Sequence, residues 1–165
     1  MSTLIRTCSL ELRPIRFDEV AATLDLIHRA IERGCRGHYD SAQRNAVFLT
    51  YARGLFGEAL GPFESIVALQ EDALVGFAQC DPAADRLRAV FVDGDVQRRG
   101  IGKLLLAEIE RLLRRSGATR ICGAMSLNAV PFYAGAGFRA LSGIERLAST
   151  GVAVPVVRME KLFRC

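Results

Sequence analysis

A chain of 165 residues, half of them apolar and a quarter charged, has the composition of a globular polypeptide and the length of one domain spanning residues 1–165. No apolar run approaches bilayer length, and the start Met1-Ser2-Thr3-Leu4-Ile5-Arg6 carries no signal-like apolar stretch with a cleavage site; no membrane association and a cytoplasmic address are expected. The net charge of +4 comes from 20 arginines and two lysines spread along the chain, so no nucleic-acid partner is expected; the balance suits an anionic ligand and equally a solvated face.

Leu10 to Ile15 alternates apolar and charged residues and predicts a first strand. Asp18 offers an N-cap for a helix whose face is marked by Val20, Leu24, Ile27, His28 and Ile31 and which stops at Gly34. A second helix is predicted from Ser41 to Ala59. Ser65 to Gln70 and Leu74 to Cys80 form a hairpin, and Asp81-Pro82 closes it before a strand from Leu87 to Val92. Ile101, Leu104, Leu105, Ile109, Leu112 and Leu113 give a helix from Gly100 to about Arg115, with a basic last turn and Gly117 as its stop. A strand at Ile121 to Met125, a short helix at Ala129 to Ala136, a strand starting at Phe138 to Leu141 and a last strand at Val152 to Met159 complete the order. A strand, a helix of this length and another strand imply a parallel pair within an otherwise largely antiparallel sheet.

The five cysteines form no Cys-x-x-Cys pair, and His28 and His38 stand at no ligand spacing to them, so reduced thiols and no metal are expected. Gly100 and Gly102 flank the seam between a strand and a helix, where free N–H groups and the helix dipole suit phosphate. Without side chains there, an anion can approach the main chain, and Gln97, Arg98 and Arg99 add amides and charge. The alternative is that the two glycines serve only tight packing. A Walker loop is excluded because Gln97 and Leu104 stand where Gly and Ser or Thr are needed, and a dinucleotide fingerprint because no third glycine follows.

Gln97-Arg98-Arg99-Gly100-Ile101-Gly102 resembles the acetyl-CoA signature of the GCN5-related N-acetyltransferase (GNAT) superfamily. A second motif of that family is matched by Ser126, Ala129, Phe132, Tyr133, Gly137 and Phe138. The resemblance implies the GNAT fold: a mixed, mostly antiparallel α/β sheet of about six to seven strands with a splayed parallel pair, flanked by about four helices. It implies transfer of acetyl from acetyl-CoA to a primary amine, on a small molecule or a protein, by direct attack in a ternary complex of a monomer or homodimer. The implied cofactor contacts are the main chain of Val90, Phe91 and Val92, the loop and helix start Gln97 to Lys103, and Ser126, Asn128, Phe132 and Tyr133. Asn128 has a second reading as a cap of the short helix. Tyr133 is the implied acid for the departing thiolate; its alternative is packing alone.

The chain departs from relatives that carry a glutamate base on the fourth or fifth strand: Arg86, Arg88, Ile121 and Cys122 stand there. Asp81 and Asp85 are nearby substitutes but also turn residues, and water-mediated deprotonation is open. The resemblance implies an acceptor pocket around Gly34 to Asp40, Phe63 and the closing strands; Cys35 and His38 there offer a further, covalent possibility. A non-catalytic acyl-CoA-binding or sensing module is the alternative function.

Overall fold

The computed structural model describes residues 9–56, 62–94 and 100–164. Strands β1 (Leu10–Pro14), β2 (Glu64–Gln70), β3 (Ala73–Asp81), β4 (Arg86–Val92), β5 (Arg120–Ser126), β6 (Arg139–Ser149) and β7 (Val152–Leu162) form one sheet in the order β1-β2-β3-β4-β5-β7-β6. Helices α1 (Val20–Gly34), α2 (Ser41–Phe56), α3 (Ile101–Arg115) and α4 (Val130–Gly135) flank it. Every neighbouring pair is antiparallel except β4 with β5. The predicted parallel pair is therefore present, and the architecture is the expected mixed sheet.

Two apolar layers cover the sheet. On one face α3 buries Ile101, Leu105, Leu106, Ile109 and Leu113 against Ala78, Ile121 and Met159. On the other α1 buries Val20, Leu24, Ile27 and Ile31 against Val67, Phe77 and Ala89. Each fully buried side chain of this kind contributes about 1.5–3 kcal/mol. Gly76 on β3 lets α3 sit close, because a Cβ there would stand 2.8 Å from a methyl of Leu105. His28 departs from the expected buried face: it is exposed and meets Phe48 edge-on at 5.1 Å between centroids. Leu104 is also exposed, since the buried stripe of α3 runs through its neighbours at 101, 105, 106, 109 and 113.

Local chemistry explains the element ends. The β2–β3 turn places Glu71 and Asp72 at φ 50° and 65°, a two-residue hairpin turn whose twist matches the strands. Asp40 accepts from the Gln43 N–H at 2.8 Å while the Gln43 side chain accepts from the Asp40 N–H, a reciprocal cap for α2. Ahead of α1 the cap is not Asp18. A single 3-10 turn, Phe17–Glu19, precedes the helix, and the Glu19 carboxylate accepts from the Arg16 N–H at 2.8 Å and from Arg13 Nη1 at 3.0 Å.

The Arg13 hydrogen bond, helped by the Arg16 N–H, holds the Glu19 carboxyl down at about 2. The unfolded chain binds that proton more readily, so the stabilisation is complete above the ordinary glutamate pKa and is lost as pH falls through about 2. Glu19→Gln should lower the melting temperature at pH 7 and flatten its fall between pH 5 and 2; a wild-type slope in the variant excludes Glu19 as the titrating group.

β6 is longer than the sequence suggests. It runs on to Ser149 and turns through Thr150 and Gly151, at φ 50° and 79°, into β7. Among the described residues, no helix is long and apolar enough to cross a membrane, and no three His, Cys, Asp or Glu side chains gather at metal-ligand spacing.

Candidate active site

The sheet opens where its one parallel pair comes apart. β4 and β5 share a single aligned pair, Arg86 with Cys122, fixed by the Cys122 N–H donating to the Asp85 carbonyl at 3.0 Å. Gly123, the next residue of β5, sits so close to β4 that a Cβ would stand 2.9 Å from the Leu87 carbonyl oxygen. Beyond that point the strands diverge. β4 carries an extra residue opposite β3, since Gln79 aligns with Ala89 but Cys80 with Leu87, leaving Arg88 as the bulge. The Tyr51 hydroxyl of α2 donates to the Arg88 carbonyl at 3.0 Å and braces the bulge. From Ala89 to Phe91, the β5-facing edge of β4 has no β5 partner among the described residues, so this stretch of main chain suits an extended ligand.

One cavity, of about 470 Å³, lies at the wide end of this split. Val90 and Val92 form one wall, Asn128, Ala129, Phe132 and Tyr133 the other, and Gly100 to Lys103 the end. Gly100, at φ 81°, turns the chain into α3 in a conformation that favours glycine. The Leu104 N–H is the first to find an intrahelical acceptor, the Gly100 carbonyl at 3.1 Å, so those of Ile101, Gly102 and Lys103 head the helix without one. Gly102 faces the Phe132 ring: a Cβ would stand 3.4 Å from its edge. Backbone donors, the helix dipole and the Lys103 ammonium make this end suited to a phosphate, and the apolar walls suit a chain leading away from it.

The expected cofactor residues distribute unevenly. Val90, Val92, Gly100, Ile101, Gly102, Lys103, Asn128, Phe132 and Tyr133 line this cavity together. Phe91 points its ring the other way, edge-on to Tyr51 at 5.0 Å, leaving only its main chain on the split. Ser126 lines a different cavity. Gln97, Arg98 and Arg99 lie outside the described residues. Asn128 is not a helix cap: Ala129 holds that position without a side-chain bond, and the Asn128 amide oxygen accepts from the Cys35 thiol at 3.3 Å.

Tyr133 is positioned by α4, which starts at Val130 with Pro131 in its first turn and ends at Gly135; the chain then turns at Gly137, φ 96°, with the Phe138 N–H returning to the Tyr133 carbonyl at 3.0 Å. Its ring is wedged between Phe132 and Phe138, at 5.0 and 5.3 Å between centroids, and the residue is 5% exposed. Burial pushes the phenol's pKa well up, so the hydroxyl carries its proton at any pH the protein works at.

A second cavity, of about 280 Å³, occupies the α2 side of the same split. β4 gives it Arg86, Leu87 and Arg88, β5 gives Ala124 and Ser126, and Tyr39, Tyr51 and residues of β6 and β7 close it. The expected pocket region at Gly34 to Asp40 contributes through Tyr39, whose hydroxyl donates to the Pro155 carbonyl at 2.5 Å and accepts from the Leu127 N–H at 3.0 Å. The Cys35–His38 possibility has no geometric support. Cys35 is buried, its thiol is pushed up to about 11, and His38 is exposed, with its N–H donating to the Cys35 carbonyl at 3.0 Å. Asp81 and Asp85 stand at the turn before β4: Asp81 accepts from the Ala83 N–H at 3.1 Å, Asp85 shapes the turn at φ 51°, and neither lines a cavity of the split. Tyr39, Tyr51 and the bulge at Arg88 are the elements the sequence did not single out.

The same fold recurs in solved structures. A GCN5-related N-acetyltransferase from Rhodopseudomonas palustris superposes with a TM-score of 0.84 over 99% of this chain and 100% of that one, at 23% identity. The PaiA N-acetyltransferase of Thermoplasma acidophilum, solved in complex with coenzyme A, gives 0.74 over 94% and 99% at 17% identity. A Salmonella typhimurium protein solved with its cofactor acetyl-CoA gives 0.63 over 95% of both chains at 17% identity. At these identities the likeness concerns the fold. No curated protein matches the sequence. The family model for the acetyltransferase (GNAT) domain, however, matches residues 40–163, a span that takes in the first cavity, the second apart from Tyr39, the glycine-edged start of α3 and Tyr133, and the chain therefore belongs to the GNAT acetyltransferase family.

Proposed function

We propose that this protein, as a single domain over residues 1–165, transfers an acetyl group from acetyl-CoA to a primary amine. The observation that carries the reading is the 470 Å³ cavity, which joins an anion-suited helix start at Gly100 to Lys103 with the protonated phenol of Tyr133 where β4 and β5 have separated. Acetyl-CoA supplies the activated acyl group. The N–H groups of Ile101, Gly102 and Lys103 hold the pyrophosphate, together with the loop of Gln97, Arg98 and Arg99. The main chain of Val90, Phe91 and Val92 pairs with the amides of the pantetheine arm, as an added strand does. Tyr133 gives its proton to the departing thiolate.

The amine enters from the 280 Å³ side, where Leu87 and Ser126 border the split. It must lose a proton to attack, and among the described residues no carboxylate or imidazole lines either cavity. Water admitted through the open acceptor side takes it. The missing base also favours a second reading, an acyl-CoA-binding module without turnover.

Mixing the protein with acetyl-CoA and a broad amine panel while following free thiol separates the two readings. Amine-dependent release, with the acetylated amine identified by mass spectrometry, is the expected result. Saturable acetyl-CoA binding with no release on any amine would favour the binding module.

A further inference from the structure

The acceptor cavity carries a charge pattern that the family fold does not dictate. Its walls are mostly apolar, with Val47, Leu87, Leu147, Val154 and Val156 among them, and among the described residues its ionisable groups of fixed charge are Arg86 and Arg88. Neither has a carboxylate within ion-pair distance among the described residues, whereas Arg13, Arg44, Arg139 and Lys161 each meet one.

Arg88 is nevertheless fixed in place. Its Nε donates to the Gln79 side-chain oxygen at 3.0 Å, and Gln79, buried, is itself anchored by its amide donating to Ser65 Oγ at 2.9 Å. The guanidinium lies over the Phe63 ring at 4.0 Å, and Nη2 passes beside Gly54 of α2. Neutral partners thus set its plane and occupy Nε, and the Nη groups keep their charge and donors for something else. An arginine held this way on a cavity wall matches an oxyanion with directed, charge-assisted hydrogen bonds. It also repels a polycation. The hydroxyls of Tyr39 and Tyr51 are already given to the Pro155 and Arg88 carbonyls, so they do not offset it.

We infer that the acceptor is an amine carrying an oxyanion, a carboxylate or a phosphorus oxyacid, on an apolar body, with Arg88 and Arg86 as the specificity-determining contacts. The inference rests on the acetyl-transfer reading above. The rim chemistry excludes polyamines and other multiply cationic acceptors as good substrates.

The test compares leucine and phenylalanine with their carboxamides, with the matching aminoalkylphosphonates, and with spermidine, following thiol release from acetyl-CoA. The acids or the phosphonates should exceed the carboxamides in kcat/KM by about tenfold or more, as expected for a charge-assisted pair lost, and spermidine should fall below both. Whichever of the two oxyanions leads identifies the source. In Arg88→Gln the acid-to-carboxamide ratio should fall towards one; Arg86→Gln, at an exposed position, should move it in the same direction. Acetyl-CoA affinity, measured by calorimetry, reports folding of the variants because neither arginine touches that cavity. Carboxamides or spermidine equal to the acids, or a ratio unchanged in Arg88→Gln, overturns the inference while leaving the transferase reading intact. If no amine is acetylated, calorimetry of the same acids with coenzyme A present decides: binding lost in Arg88→Gln supports the anion site and sinks the transferase reading, and no binding to wild type sinks the anion site.

Discussion

Tyr133→Phe should lower kcat by about 100- to 1,000-fold while KM for acetyl-CoA and the melting temperature stay near wild type, the range for losing one positioned general acid. The variant keeps the ring that is wedged between Phe132 and Phe138, and no described residue hydrogen-bonds the hydroxyl it removes, so packing is preserved. Only the proton is lost. A buried phenol with a raised pKa is a weaker acid than a free one, which would defeat the role if the leaving thiolate were solvated. Burial disfavours a thiolate as it disfavours a phenolate, however, so a thiolate leaving into the same apolar cavity is made more basic as the phenol is made less acidic. The raised phenol pKa also has a sign that can be checked. Deprotonation of Tyr133 should not depress kcat in wild type between pH 7 and 10, whereas an unshifted tyrosine would be about half deprotonated at pH 10. Full kcat in Tyr133→Phe would reduce the residue to packing.

What could be seen in the residues alone was whatever has a period or a local signature. α3 was legible because Ile101, Leu105, Ile109 and Leu113 repeat at the helical spacing and are all buried, and the cofactor side of the site hangs on its first turn. The glycines at 100 and 102 and the run through Tyr133 are likewise local in sequence. β6 was legible only at its start, because most of it is exposed on both faces of a sheet edge and carries no alternation to read. The cap of α1 was misplaced by one residue: propensity favours Asp18 over Glu19, and the contacts of Glu19 with Arg13 on β1 and with the Arg16 N–H override it. The acceptor cavity was the least legible part. It depends on the bulge at Arg88, on the side chain of Tyr39 reaching Pro155 across 116 residues, and on Ser126 turning away from the cofactor side, none of which leaves a mark in one strand's sequence.

The two glycines at the head of α3 are needed for different reasons, and substitutions separate them. At Gly102 the backbone is ordinary helix, so replacing it with Val should not destabilise the fold: it recovers part of a glycine's helix cost of about 1 kcal/mol, the rest being kept by valine's β-branched side chain. A Cβ there stands 3.4 Å from the Phe132 ring and 3.7 Å from a methyl of Val92, and the two further methyls must project into the space between those walls. Crowding of that kind costs about 1–3 kcal/mol, and here it falls on the ligand, so Gly102→Val should raise the acetyl-CoA dissociation constant by about 5- to 100-fold with an unchanged or higher melting temperature. At Gly100 the reverse holds. Nothing stands within 4 Å of the position a Cβ would take, but φ is 81°, so Gly100→Ala strains the folded chain by about 1–2 kcal/mol without filling the cavity. Its signature is a lower melting temperature with affinity changed less than in Gly102→Val. If both variants lost stability and neither lost affinity, the glycines would be serving only the packing of the helix start, and the ligand would have to approach from elsewhere on the split.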